Sequence, residues 1–498
     1  MQIVRKIFFY IFVLIYIVFC PLMILYAMGY LYKPGAEQGV VKTGLIALAS
    51  VPSGASIYMN ESRYTKKTPA VIYNLLPGDY NIRVELDNYN QWDEKVPVEE
   101  EKATVLDKVI LLPDSWKKNE IIPEKIQRIV PVPKTNFFLA AKGPQLNEWY
   151  LIDSKESKYW PLIKQEDNFG SYAVDRYFFS EKGSNAGLFL VKTETSKKYL
   201  FITFKGENSE VQDITTLIPE DLERIKWLPN QENRLFVFHG KSITRIDVNT
   251  GAVYPKYIQN VKGYGLLGGD LYLLTENNEF LQTDYDNNNP EVLLDDKKLG
   301  EQLFGEAEYF DIKGIANMLF LFLSKDGKLV TNKLPYYFTE GKIKETVYDD
   351  SSRDVIAWQK DKIGVIDFSE EETGNVLFEK GPAFAWAYEK ASDIRQAFWV
   401  YDASHILFLD KNKLFLIEIE EFNSFETKPL FEIKKGSLCF YSEDTGKVYY
   451  IDSSGSGKLY SSDIIQGKGV SVLPFYQTKE GKKIEEVEKL KKRETDEI

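Results

Sequence analysis

The sequence predicts an all-β chain held behind one N-terminal transmembrane helix. Three observations predict it. Residues 7–32 form an uncharged apolar run, residues 45–113 alternate short apolar runs with turn residues, and residues 121–476 repeat a strand-turn-strand unit.

The anchor comes first in the chain. Its 26 residues are mostly Ile, Phe, Val, Leu, Met and Tyr. As a helix rising ~1.5 Å per residue they reach roughly 39 Å, enough to cross a hydrocarbon core of ~30 Å with some tilt. Pro21 is placed to kink it. Arg5 and Lys6 precede the run and Glu37 follows Lys33, so residues 1–6 are expected as a cytoplasmic stub and the C-terminal bulk outside the cytoplasm. Tyr26, Tyr30 and Tyr32 suit the outer interface. A cleaved signal peptide would show an apolar region of ~7–15 residues and a small-x-small site, and neither is evident. A lipoprotein anchored at Cys20 would need a small residue where Phe19 stands. The expectation is therefore a single-pass protein of the cell membrane, meeting the lipid bilayer through residues 7–32, with a linker at 33–44 that includes Gly35 and Gly39.

Composition bounds the rest. A chain of 498 residues has room for about three domains, and 14% aromatic content supplies ample core material. With 62 basic against 74 acidic residues the net charge is −12, and no basic block resembles a nucleic-acid footprint, so nucleic acid is not an expected partner. The acidic balance keeps an exposed domain soluble. The two cysteines, Cys20 in the apolar run and Cys439 in a strand-like segment, give no sensible disulfide.

From 45 to 113 no helical periodicity is visible. Residues 46–51 form a strand, Pro52-Ser53-Gly54 a turn and 55–59 the returning strand, with Asn60 beginning the next turn. Residues 70–75 follow Thr68-Pro69, and Pro77-Gly78 turns into a strand where Tyr80, Ile82, Val84 and Leu86 share one face. The segments Pro52-Ser53-Gly54-Ala55, Thr68-Pro69, Asn74-Leu75-Leu76-Pro77-Gly78-Asp79-Tyr80 and Tyr89-Asn90-Gln91-Trp92 together resemble a PEGA domain. The chain departs from that pattern with Ser53 in place of Glu, and with Glu61 and Asn88 where Gly is usual. The resemblance implies a small β-sandwich of the kind found in prokaryotic surface proteins, a binding or spacer role, and no catalytic residues.

From 121 to 476 no convincing amphipathic helix is visible. Outer strands are expected to end near Asp153, Phe204, Asp247, Asp284, Asn332, Asp367, Glu418 and Asp463, a period of roughly 44 residues that suits propeller blades. The turns carry the residues that tight hairpins need: Asp326-Gly327, Lys411-Asn412, His239-Gly240, Asn249-Thr250-Gly251 and Asp444-Thr445-Gly446. These segments resemble WD40-like or quinoprotein-type β-propellers, without a recurring Trp-Asp signature or a visible cofactor set. Seven or eight blades are expected; two stacked β-sandwiches would use the same strands. Residues 477–498 form a charged tail, with Ile484, Val487 and Leu490 at helical spacing, expected as a frayed helix or a disordered segment.

Motifs of chemistry are few. His239 at a hairpin turn and His405 at the edge of an apolar strand are far apart and lack metal-spaced partners, and no G-x-S-x-G elbow occurs. Gly263, Gly265 and Gly268 satisfy G-x-G-x-x-G, but a strand at 271–274 follows where a dinucleotide site needs a helix, so they are expected in an inter-strand turn. Asp284, Asp286, Asn288 and Asp295 have the spacing of a calcium loop, with Asn289 where glycine belongs, Pro290 at the carbonyl position and no flanking helices, so a polar connecting loop is the default. Phe384, Trp386 and Tyr388 would share one strand face, either stacking on a sugar or packing in a blade. Carboxylate pairs cannot be recognised, because their separation in space decides them.

No catalytic, cofactor-binding or metal-binding residue is therefore assigned. The expectation is a non-enzymatic, membrane-anchored extracytoplasmic protein presenting a propeller surface to a protein or glycan partner of the cell envelope. The alternative is a propeller-type hydrolase or lyase acting on extracellular polysaccharide.

Overall fold

The computed structural model describes residues 2–466 with short breaks, the longest at 33–39 and 369–382; the charged tail expected at 477–498 lies outside the described residues. The chain divides into two bodies, one holding Met1–Trp116 and the other built from Lys117–Glu420 and Ser424–Asp463.

In the first body, helix α1 (Gln2–Ala27) runs unbroken through Pro21. Its stretch Phe8–Tyr26 is long and apolar enough to cross a membrane, and none of it is buried in the protein. The helix ends earlier than the apolar run does. Gly29, at φ 81°, turns the chain in the left-handed region that glycine favours after a helix, and Tyr30–Tyr32 becomes a strand paired with Val40–Lys42. The Gly29 carbonyl accepts from both the backbone N–H and the Oγ1 of Thr43, at 2.9 and 2.8 Å. Residues 40–42, expected as linker, are thus a strand that leads directly into the next module.

That module has two sheets. Gly44–Val51 lies between Ala70–Leu75 and Ala103–Ile110; the second sheet orders Ser62–Lys67, Ser56–Met59, Gly78–Glu85 and Trp92–Val98. Alternate side chains of both sheets, among them Ile46, Leu48, Ile82, Val84, Trp92 and Val96, meet in one core where each is at most 1% exposed. Two of the motif segments meet as well: Thr68 Oγ1 lies 2.7 Å from Ser50 Oγ and accepts from Ala55 N–H at 3.0 Å. Glu61 and Asn88, where the PEGA pattern has glycine, sit at φ 66° and 68°, a backbone region that explains the preference.

The second body holds six four-stranded antiparallel sheets and one eight-stranded sheet, which is two four-stranded units joined through their first strands. In chain order the first strands are Arg128–Pro131, Ala173–Phe179, Arg224–Leu228, Val261–Leu267, Phe310–Gly314, Glu345–Tyr348, Ile394–Val400 and Phe440–Ser442. The first seven units are simple meanders. The last takes its outermost strand, Asn119–Ile122, from ahead of the first unit, paired antiparallel with Leu459–Asp463. Apolar side chains pack between neighbouring units: Leu151 of the first with Phe189 of the second, Leu188 of the second with Leu235 of the third, and so on to Phe138 of the first with Phe440 of the last. Cores that return to their starting unit are those of a β-propeller, in which both faces of each sheet are covered.

Two expectations are corrected here. The residues from Asp153 to Asp463 that were expected to end outer strands end third strands, or follow them by one residue in the case of Phe204 and Asn332. A fourth strand lies outside each, and strands such as Glu210–Asp213 and Ala252–Gln259 are so exposed that no apolar alternation marks them. A helix also interrupts the β region: α2 (Lys297–Phe304) is capped by Asp296, whose carboxylate accepts from Lys298 and Leu299 N–H at 3.0 and 3.2 Å. Two turns are too short to display a helical period.

The C-terminus of α2 is held by Lys262, whose ammonium donates to the carbonyls of Phe304 and Gly305 at 3.3 and 3.0 Å. Burial, aided by the charge of Lys328, lowers the Lys262 pKa from its ordinary 10.5 to about 8. The folded chain then loses this proton before the unfolded chain does, so the group makes stability rise with pH from about 8 to 10.5. Denaturation midpoints across that window should show the rise in the parent protein and lose it in Lys262→Met.

Candidate functional site

First strands of all eight units contribute to a single cavity of about 880 Å³, with Val130, Tyr177, Trp227, Leu266, Ile312, Thr346, Phe398 and Phe440 each representing one unit. The cavity runs along the axis of the ring, since the first strand is the innermost of each sheet.

Backbone edges of these strands would face the cavity unpaired, and side chains from other units cover several of them. Lys226 donates to Ile312 O at 3.0 Å, Lys313 to Thr346 O at 3.0 Å and Trp399 Nε1 to Val347 O at 3.2 Å. The Gln396 amide bonds both backbone groups of Cys439, accepting from N–H at 2.8 Å and donating to the carbonyl at 3.2 Å. At one seam the backbones meet directly: Gly263 and Tyr264 pair in parallel with Phe310 and Asp311. A Cβ on Gly263 would lie 2.6 Å from Phe310 O, and one on Gly265 2.8 Å from Ile312 O, so glycine permits the approach.

Several charged groups of the lining are bonded to the protein. Lys226, 8% exposed, forms an ion pair with Asp311 at 2.7 Å. Burial alone would raise the Asp311 carboxyl, but Lys226, Lys313 and Arg224 outweigh it and hold the pKa below the usual carboxylate range. Arg395 donates to the carbonyls of Ser437 and Gly436, both at 2.9 Å. Asp444 accepts from Asn136 at 3.0 Å and lies 3.4 Å from Lys155. Lys134 places its ammonium 5.6 Å from the centre of the Tyr348 ring.

Glu443 lies in the loop after the last first strand and accepts from the N–H groups of Tyr401 and Asp402 at 3.3 and 3.1 Å. Those donors belong to a run of three non-glycine residues in the left-handed region, Tyr401, Asp402 and Ala403, at φ 56°, 52° and 58°. Such backbone is held against its preference by the surrounding contacts. Ala403→Gly should therefore stabilise the protein by about 0.5–1 kcal/mol, read as a raised denaturation midpoint at constant slope.

The motifs found in the sequence lie elsewhere. His239 contacts Thr244 within its own hairpin, at 3.4 Å. His405 is 2% exposed, bonded through Nδ1 to Ser404 Oγ at 2.8 Å and 3.8 Å from Glu418 on the paired strand. Gly263 and Gly265, expected in a turn, lie in the first strand of the fourth unit; only Gly268, at φ 60°, turns the chain. Asp284 caps a hairpin by accepting from Asp286 and Asn288 N–H at 3.1 and 2.7 Å, and Asp286 pairs with Arg245 at 2.6 Å. Asp295 lies outside the described residues. Among the described residues no group of three or more His, Cys, Asp or Glu could hold a metal ion. Phe384 and Trp386 pack edge to face at 4.7 Å, whereas Tyr388, beyond a bulge, packs against Phe408 and Phe415 of the next unit. Cys439 is fully buried, its thiol pushed up to about 12 by burial. The cavity itself was missed, because each unit contributes only a few residues and nothing in their local spacing marks them.

Comparison with known proteins gives one family match: residues 43–111 fit the PEGA domain model. No curated protein matches the chain. Similar solved structures include PorZ, an essential bacterial surface component of the type-IX secretion system of Porphyromonas gingivalis, at 14% identity and TM-score 0.35, over 67% of this chain and 42% of that one. The chain thus spans less than half the length of PorZ. The β-propeller domain of Myceliophteria thermophila Cps50 (Swd1) is similar at 10% identity and TM-score 0.33, over 70% of this chain and 99% of that one. YCF48 from Cyanidioschyzon merolae is similar at 10% identity and TM-score 0.37, over 70% and 98%. Likenesses this distant carry no functional argument.

Proposed function

We propose that the chain is a membrane-tethered, non-enzymatic binding protein of a prokaryotic cell envelope. In this reading α1 spans the bilayer with the stub on the cytoplasmic side, the PEGA module is a β-sandwich spacer, and an eight-bladed propeller engages a protein or glycan partner through its axial cavity. The observation that carries the proposal is the cavity: every unit contributes to it, and its cationic side chains Lys226, Lys313 and Arg395 are already committed to protein partners, which suits recognition. The eight four-stranded units favour eight blades over seven, and two sheets on one core favour a sandwich. The length of Phe8–Tyr26 and the position of Arg5 ahead of it favour an outward propeller.

Protease treatment of intact spheroplasts tests the topology. Digestion of the C-terminal body with the N-terminus protected is expected; a protected C-terminal body with only the N-terminus accessible would overturn the proposal.

A further inference from the structure

We infer that the axial cavity takes a stretch of uncharged oligosaccharide. The inference rests on the binding role proposed above and narrows it to one class of ligand.

Charge is the first discriminator. The Lys226 ammonium is bonded to Asp311 and to a backbone carbonyl, Lys313 and Arg395 to carbonyls, and Asp444 to Asn136 and Lys155. A charged ligand would have to displace one of these partners, whereas a neutral one leaves them in place.

Of the other charged groups in the lining, Glu443 accepts from the Tyr401 and Asp402 N–H groups and Lys134 stands over the Tyr348 ring, so the uncommitted part of the lining is mainly ring surface and neutral hydrogen-bonding atoms. Tyr177 and Phe179 of the second unit and Phe398 of the seventh line the cavity and are only half-buried, so ring surface is left uncovered on two sides of it. Two polar atoms in the same lining, Trp227 Nε1 and Thr346 Oγ1, are buried without a hydrogen-bond partner in residues 5% and 3% exposed. Buried polar groups are ordinarily paired, so a side-chain rotation that turns either atom to the cavity would let a ligand hydroxyl supply the missing bond without breaking another. A sugar ring supplies both requirements: C–H faces that stack on aromatic rings, and hydroxyls at its edge.

Backbone geometry disfavours the chief competitor, an extended peptide. A peptide adding to an inner strand needs free N–H and C=O groups along that strand. Ile312 O, Thr346 O, Val347 O and both backbone groups of Cys439 are already bonded to side chains. The volume of about 880 Å³ lies within the usual range of small-ligand sites, about 300–1,000 Å³.

Full-length protein in detergent micelles can be titrated with cellohexaose, chitohexaose and a neutral Gly-Ser-Thr decapeptide. Binding is followed by tryptophan fluorescence, since Trp227, Trp358 and Trp399 line the cavity, and by calorimetry. Saturable binding of a hexasaccharide is expected with a Kd below about 1 mM, weakened at least about tenfold by both Phe398→Ala and the near-isosteric Thr346→Val. Unchanged melting temperatures confirm that both variants remain folded. Saturable binding of the peptide alone would overturn the saccharide class and leave the binding role standing. Absence of saccharide binding, or binding that neither variant weakens, would overturn the inference.

Discussion

Gly263→Val is expected to lower the stability of the propeller body by about 3 kcal/mol or more, at the upper end of what overpacking a core produces. The first Cβ alone would stand 2.6 Å from Phe310 O, and Phe310 is fully buried, so the facing strand has nowhere to retreat. The parallel pairing of Gly263 with Phe310 and Tyr264 with Asp311 would part, and with it the only backbone seam between first strands among the described residues. Gly268→Ala is the control. That position, unlike Gly263, is left-handed, at φ 60°, and has nothing within 4 Å of the added carbon, so its cost is conformational alone, about 1 kcal/mol. Equal midpoints for the two variants in denaturant would show that the close approach is unimportant.

The second large effect is expected at Lys226 and Asp311. Lys226 reaches from the third unit past the Tyr264 ring of the fourth to Asp311 and Ile312 of the fifth, with its ammonium 5.6 Å from the ring centre. Asp311→Leu strands the buried Lys226 ammonium and should cost about 3–5 kcal/mol, whereas Lys226→Met leaves Asp311 part-exposed beside Lys313 and Arg224 and should cost less. The double replacement should recover most of that loss, because two apolar side chains strand no charge, and the coupling measured by the cycle is the signature of the pair. Asp311 is held below its unfolded pKa, so its contribution is present above the ordinary carboxylate range and is lost as pH falls through the folded value. Acid unfolding should therefore begin at higher pH in Lys226→Met than in the parent.

The strands and turns were largely legible because they depend on near neighbours. Tyr80, Ile82, Val84 and Leu86 all pack into one core as their alternation implies, and the turns at Asp326-Gly327 and Lys411-Asn412 carry Gly327 at φ 86° and Lys411 at φ 54°. The repeat was legible through third strands, which are buried on both faces, whereas the exposed fourth strands left no pattern. Helix α1 was visible from its composition, but its end was not: apolar Tyr30, Leu31 and Tyr32 continue the run as a strand, and only Gly29 signals the change. The cavity was beyond reach. Trp227, Thr346 and Phe398 come from the third, sixth and seventh units, and closure of the ring alone makes them neighbours.

Photo-cross-linking from the cavity tests the central claim most directly. A benzophenone amino acid placed at Phe398 in the cavity lining, and in parallel at Tyr254 on an exposed fourth strand, reports which surface the partner occupies in living cells. A cavity that binds the envelope partner predicts a discrete adduct from position 398 and none from 254. Adducts from 254 with none from 398 would place recognition on the outer rim and contradict the account.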